Sequence, residues 1–368
     1  MPRGSSAPIL TRRALNRTLL GRQLLLERVE RPVVDVVEHL VGLQAQEPID
    51  PYVALWTRIL DFDPMTLSDA IETRKLVRMG TLRTTLHLLT IGDALAIAPL
   101  TAEVHRRTFD NTPFAKALVG LDREPVLEAA RAALAATPLT PSELGKRLAA
   151  AWPDRDPSAL AYLARYHLSL VQVPPRGLWR RTARTANTTL ETWAGRELEP
   201  TPIEELLLRY LRAFGPAAVA DMRTWSWLTG LREVIDRIRP GLRTFRDEAG
   251  RQLLDVIDGP IVAEDVPAPI RFLPQYDNVF LSHEDRARIS GELSWGVDFG
   301  WKGPILIDGG IAAAWRVRRS GKSAVMTIEL GRRPTPAERQ ALEEEAERLA
   351  VFLDPDRQRE LVVVEPGD

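Results

Sequence analysis

The tetrapeptide Thr-Pro-x-Glu occurs three times, at Thr140-Pro141-Ser142-Glu143, Thr201-Pro202-Ile203-Glu204 and Thr335-Pro336-Ala337-Glu338. Each copy reads as a helix start. A threonine at the N-cap accepts from an otherwise orphaned backbone N–H. A proline at the first helical position gives up no bond the helix uses, and a glutamate at the third closes a capping box. These starts divide a chain of 368 residues, too long for one small core, into recurring segments.

Around the first start the pattern predicts helices over Pro125–Ala136, Pro141–Ala151 and Asp156–Ser169. A strand over Leu170–Val173, a turn at Pro174-Pro175-Arg176-Gly177 and a hairpin over Leu178–Leu190 follow. Three helices and a β-hairpin make a winged helix. The order repeats after the second start, with helices over Ile203–Phe214, Ala217–Trp225 and Leu231–Arg239 and a hairpin closing at Asp247-Glu248-Ala249-Gly250. The N-terminal part fits the plan more loosely, with helices near Thr11–Leu20, Val33–Val41, Tyr52–Leu60 and Leu67–Thr73 and strands at Leu76–Met79 and Thr85–Leu89. The last third reads as strands at Ile270–Leu273, Ile305–Ile307, Ala312–Arg318 and Ala324–Leu330 and an amphipathic helix over Pro336–Phe352. The expected fold is α+β. Three tandem winged-helix units occupy residues 1–120, 121–200 and 201–262, and a β-rich C-terminal region with a hairpin and a terminal helix occupies 263–368. Repeated units of this kind suit a surface that wraps a DNA duplex.

Several chemistries are excluded. The chain has no cysteine, so disulfides, thiolate nucleophiles and cysteine-held metals are absent. The five histidines, His39, His87, His105, His167 and His283, have no pair at metal-binding helical spacing. No phosphate-binding glycine loop, nucleophile elbow or carboxylate cluster stands out. No metal and no cofactor is expected. No apolar run reaches the roughly 18 residues of a membrane span, and Met1-Pro2-Arg3-Gly4-Ser5-Ser6 lacks a signal-peptide core, so a cytoplasmic protein is expected. The net charge is −1, yet 44 of the 49 basic residues are arginine. A GC-rich genome produces that bias, and arginine's fork also suits phosphate contacts.

The sequence Gly42-Leu43-Gln44-Ala45-Gln46-Glu47-Pro48 ends a predicted helix. In extended backbone, amides at i and i+2 point to one side, where their oxygens and N–H groups can orient a water. Two glutamines near a helix end also cap carbonyls or face solvent, and the pattern alone does not separate these roles.

Leu43-Gln44-Ala45-Gln46-Glu47-Pro48 is followed by Pro51-Tyr52-Val53-Ala54-Leu55-Trp56-Thr57-Arg58. Together with Leu82-Arg83-Thr84-Thr85-Leu86-His87-Leu88, Val173-Pro174-Pro175-Arg176-Gly177-Leu178-Trp179, Leu273-Pro274-Gln275-Tyr276-Asp277-Asn278 and Leu281-Ser282-His283, these strings resemble the AlkZ/YcaQ family of DNA glycosylases. The resemblance spans about residues 10–330. It implies three winged helices, a β-rich C-terminal part and a catalytic Gln-apolar-Gln motif formed by Gln44 and Gln46. The Gln-apolar-Gln form is similar to the AlkZ-type members, which unhook interstrand crosslinks in antibiotic self-resistance.

The expected function is a monofunctional DNA glycosylase of N7-alkylated guanine and other N7-alkylpurines, crosslinks included, acting as a monomer on double-stranded DNA in repair or self-resistance. Without a lysine beside Gln44, no lyase step is expected. A non-enzymatic winged-helix regulator or DNA-damage binder is the alternative. Arg83, Thr85 and His87 are expected on one face of a strand and, with the hairpin arginines Arg180, Arg181, Arg184, Arg316, Arg318 and Arg319, to contact DNA. His87 also fits a core histidine. Asp277 and Asn278 are candidates for meeting the lesion or for shaping a turn. A crosslinked base cannot rotate about 180° into a closed pocket, so no deep base pocket is expected around Gln44.

Overall fold

The computed structural model describes residues 7–289 and 302–366. The fold is α+β, with three sheets among these residues. The helix starts at Thr140 and Thr335 are complete capping boxes. At the second copy the helix instead begins at Ile203, and Thr201 donates to Glu205 at 2.8 Å. The following Glu205 is the reachable carboxylate there, which breaks the expected box.

The winged-helix plan holds best in the third unit. Helices Ile203–Phe214, Val219–Ser226 and Leu231–Ile238 precede an antiparallel hairpin of Leu242–Asp247 and Gln252–Val256. The N-terminal strand Ile9–Leu10 adds to this hairpin in parallel. The first two units do not form separate wings. Strands Leu43–Gln44, Leu86–Thr90, Leu76–Gly80, Leu170–Gln172 and Asn187–Thr189 make one five-stranded sheet in that order. The hairpin expected over Leu178–Leu190 is mostly loop, and only Asn187–Thr189 is strand. A helix over Ile91–Asp110, which the sequence pattern missed, follows the strand Leu86–Thr90 directly.

The C-terminal sheet runs Gln358–Val364, Ser323–Leu330, Gly310–Ser320, Gly303–Ile307 and Arg271–Phe272, with the helix Pro336–Leu353 against it. The added strand at Gln358–Val364 pairs in parallel with Ser323–Leu330. Cores cross the boundaries between units. Tyr52, Leu55 and Leu40 pack with Phe272, Ile328 and Leu349. Val77, Met79 and Leu89 pack with Tyr210, Phe214 and Trp225. Among the described residues no helix is long and apolar enough to cross a membrane.

Buried arginine–aspartate pairs reinforce these junctions. Arg58 and Asp277 are both fully buried and meet through two hydrogen bonds of 2.8 Å. Arg22 holds Asp255 in the same way, at 2.7 and 2.8 Å. Removing one member strands a buried charge, at a cost of about 3–5 kcal/mol, whereas replacing both with apolar residues costs far less. Arg58→Met is therefore expected to lower the urea unfolding free energy by about that amount and Arg58→Met/Asp277→Leu by less. A double variant weaker than the single would contradict this.

Candidate active site

The backbone of Gln44-Ala45-Gln46 is held from several sides. Gly42 sits at φ +88°, and a Cβ there would lie 2.4 Å from Leu89 Cδ2 and 3.0 Å from the Leu88 carbonyl, so the close approach requires glycine. The strand Leu43–Gln44 pairs antiparallel with Leu86–Thr90, placing Gln44 opposite His87. Asn278 Nδ2 donates to the Gly42 carbonyl at 2.7 Å, and its Oδ1 accepts the Gln44 N–H at 3.3 Å. From the strand Leu76–Gly80, Arg78 donates to the Ala45 and Gln46 carbonyls, each at 2.8 Å. Its third bond goes to Gln172.

The two amides differ. Gln44 is 6% exposed, whereas Gln46 is exposed. Arg83 Nη2 donates to Gln44 Oε1 at 2.8 Å. The same guanidinium donates to the Trp225 carbonyl and lies 3.5 Å from His87 Nε2. Arg83 is 8% exposed, and no carboxylate is among its partners. Burial lowers its pKa to about 10, which still leaves it charged near neutrality. His87 donates from Nδ1 to the Thr85 carbonyl at 3.1 Å, leaving Nε2 as the acceptor that faces Arg83. Burial, and then the Arg83 charge, push His87 down to about 3, so the ring is neutral.

Because Arg83 accounts for Oε1, the free end of Gln44 is its Nε2 amide, a donor. The expected alternation Arg83, Thr85, His87 along one strand does not occur. Leu82–Thr84 is a 3₁₀ turn, with Arg83 and Thr84 at φ +54° and +57°, and the strand begins at Leu86. That left-handed pair turns Arg83 inward onto Gln44 instead of outward to a phosphate. Such backbone strain commonly marks functional sites.

Gln46 lines a cavity of about 370 Å³ between the shared sheet and the helices Pro141–Ala149 and Pro157–His167. Tyr162, Tyr166 and His105 supply aromatic wall, and Arg78, Arg165 and Arg176 supply charge. Gln44 does not line it. Gln46 thus borders an aromatic cavity of which the sequence shows no sign, which counts against the expectation of no deep base pocket around the motif.

The other candidates are spread out. Asp277 is fully buried against Arg58 and cannot reach a lesion. Its neighbour Asn278 serves as the clamp on the Gln44 strand. Thr85 donates to the Leu82 carbonyl at 3.1 Å and shapes the turn. Arg180 is tied to Asp356 at 3.0 Å and the Leu353 carbonyl at 3.1 Å, Arg184 lies 3.7 Å from Glu143, Arg316 lies 3.5 Å from Glu329, and Arg319 pairs with Asp354 at 2.8 Å. These are surface pairs, each worth at most about 1 kcal/mol, which leave the arginines accessible. Arg181 and Arg318 are exposed with no ion pair among the described residues.

Two neighbours of the candidate motif escaped the sequence reading. One is Arg78, whose place as a charged residue inside an apolar predicted strand was the available signal. The other is Asp50, 5% exposed, whose Oδ2 accepts the Glu47 N–H at 3.1 Å. Burial raises Asp50 to about 7, opposed by the Glu47 N–H and the Arg78 charge and aided by the Glu47 and Asp277 charges. An unfolded aspartate titrates near pH 4, so between about pH 4 and 7 the folded state binds more protons and stability falls as pH rises. Asp50→Asn removes this titration while keeping an acceptor for Glu47. Its stability relative to wild type, from urea unfolding, is expected to climb between about pH 5 and 8 by on the order of 3 kcal/mol at most; a flat difference would contradict the assignment.

Comparison with known families matches residues 37–352 to the AlkZ-like family, described as DNA glycosylase AlkZ-like. Among solved structures, Streptomyces sahachiroi DNA glycosylase AlkZ is similar in fold at 21% identity and a TM-score of 0.72, covering 97% of this chain and 100% of that one. A search of curated proteins finds no match. The family match contains Gln44, Gln46, Arg78, Arg83 and Asn278. The chain belongs to the AlkZ-like family of DNA glycosylases, enzymes whose substrate is DNA.

Proposed function

We propose that this DNA glycosylase hydrolyses the N-glycosidic bond of N7-alkylated guanine and related purines, crosslinked ones included, with Gln44 and Gln46 at the reaction centre. The observation that carries the reading is the asymmetry of the two amides: Gln44 held by Arg83 with its N–H groups free, and Gln46 exposed at the cavity.

An N7-alkylated guanine is a cation. When its glycosidic bond breaks, the electron pair goes to N9, the base leaves neutral and needs no proton, and the positive charge passes to an oxocarbenium-like sugar. Interactions that favour this transfer of charge speed the reaction. The buried Arg83 guanidinium and the Gln44 N–H donors suit the base side, where they oppose the initial cation and can donate to guanine O6. Gln46 suits the sugar side, where its oxygen holds the incoming water; the water adds to C1′ and its proton leaves to solvent. Positioning by a neutral amide is worth several kcal/mol, and a weak base spares undamaged purines. No lysine lines the cavity beside Gln46, which fits a monofunctional reaction. An exposed Gln46 fits a lesion that is tethered to the opposite strand. Arg181 and Arg318 are the expected phosphate contacts, and the enzyme is expected to act as a monomer.

Glutamate substitutions separate the two roles. Gln44→Glu keeps an acceptor for Arg83 but loses the donors, and is expected to slow excision of N7-methylguanine by about 100-fold or more. Gln46→Glu keeps an acceptor and adds negative charge beside the sugar, and is expected to stay within about tenfold of wild type. Single-turnover excision followed by alkaline cleavage measures both. The reverse order would overturn the assignment of roles. Wild-type excision by both Gln44→Ala and Gln46→Ala would overturn the site.

A further inference from the structure

Gln46 is exposed, so little packing aims its side chain, and the direction of that side chain follows from its backbone. Both peptide groups that flank its Cα are held by charged side chains. Arg78 donates to the Ala45 carbonyl before it and to the Gln46 carbonyl after it, each at 2.8 Å. The second of these peptide groups also donates its N–H, that of Glu47, to Asp50 Oδ2 at 3.1 Å. One peptide plane is therefore pinned at its C=O by a cation and at its N–H by a carboxyl group. The Asp50 N–H in turn donates to the Glu47 carbonyl at 3.1 Å, which closes the turn Glu47-Pro48-Ile49 onto the helix Asp50–Trp56.

An asparagine would accept the same N–H without the cost of burying a charge. Asp50 is buried, and the groups facing it carry both signs. Glu47 lies on its own turn and Arg78 on the strand Leu76–Gly80. Tyr276 and Asp277 lie just before the helix Asn278–Leu281, and Asp277 is itself paired with Arg58. Burial, aided by the Glu47 and Asp277 charges and opposed by the Glu47 N–H and Arg78, holds Asp50 up at about 7, so both of its forms are present around neutrality. The two forms grip differently. A carboxylate accepts an N–H about twice as strongly as a neutral acceptor, and it is attracted by Arg78 across the same peptide plane.

We infer that Asp50 is a positioning residue for Gln46: with Arg78 it fixes the peptide plane that follows Gln46, and as a carboxylate it aims the exposed amide better than as an acid. The inference rests on the assignment of Gln46 to the reaction centre above. No other protein group given a part in that reaction changes charge near neutrality, because His87 is neutral there and Arg78 and Arg83 are charged.

The test compares the full-length wild type with Asp50→Asn on a duplex bearing one N7-methylguanine, by single-turnover excision between about pH 5.5 and 8.5. Any titration of the substrate is common to both proteins and cancels in the ratio of their rates. At the acid end the two maximal rates are expected to agree within about twofold, and at the alkaline end wild type is expected to be about five- to tenfold faster. The midpoint of the rise is expected near pH 7. The enzyme concentration at half-saturation is expected to stay the same, and thermal melting at each pH checks that both proteins are folded. A merely structural role for Asp50 gives a flat ratio. A flat ratio, a ratio that falls with pH, or a change confined to half-saturation would overturn the inference. Gln46→Ala, measured alongside, separates the inference from the reading beneath it, and a slowed Gln46→Ala together with the rising ratio is the expected result. If Gln46→Ala excises at the wild-type rate, Gln46 is not at the reaction centre and the inference falls with that reading. If it is slowed while the ratio is flat, the inference alone is overturned. Release of no base by wild type would overturn the proposed reaction and the inference with it.

Discussion

The Arg58–Asp277 pair joins parts of the chain that no short-range pattern connects. Both side chains are fully buried and bonded twice, and Arg58 also donates to the Gln23 and Ala54 carbonyls at 2.9 Å. Removing two charges from water is costly, and only full pairing with added hydrogen bonds offsets it. The pair therefore tolerates one geometry, and that geometry sets the next residue. Asn278 follows Asp277 directly and grips the Gly42–Gln44 backbone. The Gln44-Ala45-Gln46 segment is thus placed by the first residue of a short helix more than 230 residues away in sequence.

The site built on this frame is unusual in its electrostatics. Arg78 and Arg83 are both buried, and their hydrogen bonds go to carbonyls, amides and an imidazole. Burial lowers the pKa of each to about 10. The charge that would usually neutralise them is missing from their immediate partners, while Asp50 nearby is held up to about 7 and is only partly ionised at neutral pH. A site with excess positive potential attracts a polyanion, and it disfavours a cationic base relative to the neutral one that departs. Under the proposed reaction, one electrostatic bias serves both DNA binding and bond cleavage.

Much of the fold was legible where it depends on local rules. Capping boxes at Thr140 and Thr335 read correctly because their partners lie three residues away. The hairpin closing at Asp247–Gly250 read correctly because turn chemistry is local. The second wing did not, since its strand Leu170–Gln172 pairs with Leu76–Gly80 of the preceding unit and with Asn187–Thr189 after a long loop. The helix Ile91–Asp110 was obscured by Pro99 inside it. In the site, the candidate amides were visible through the neighbouring motifs. Arg83 was singled out for the wrong contact, because strand alternation failed at a left-handed turn.

The sequence alone determined the helix starts, the exclusion of thiol chemistry and the candidacy of Gln44 and Gln46, all of which follow from residue identity and spacing of a few positions. Tertiary structure decided which amide is buried and which is exposed, that Arg83 holds the first by its oxygen, and that a carboxylate-free aromatic cavity borders the second. Those outcomes depend on charges and strands brought together from distant segments. Burial and long-range pairing, rather than local preference, set the energy of each contact.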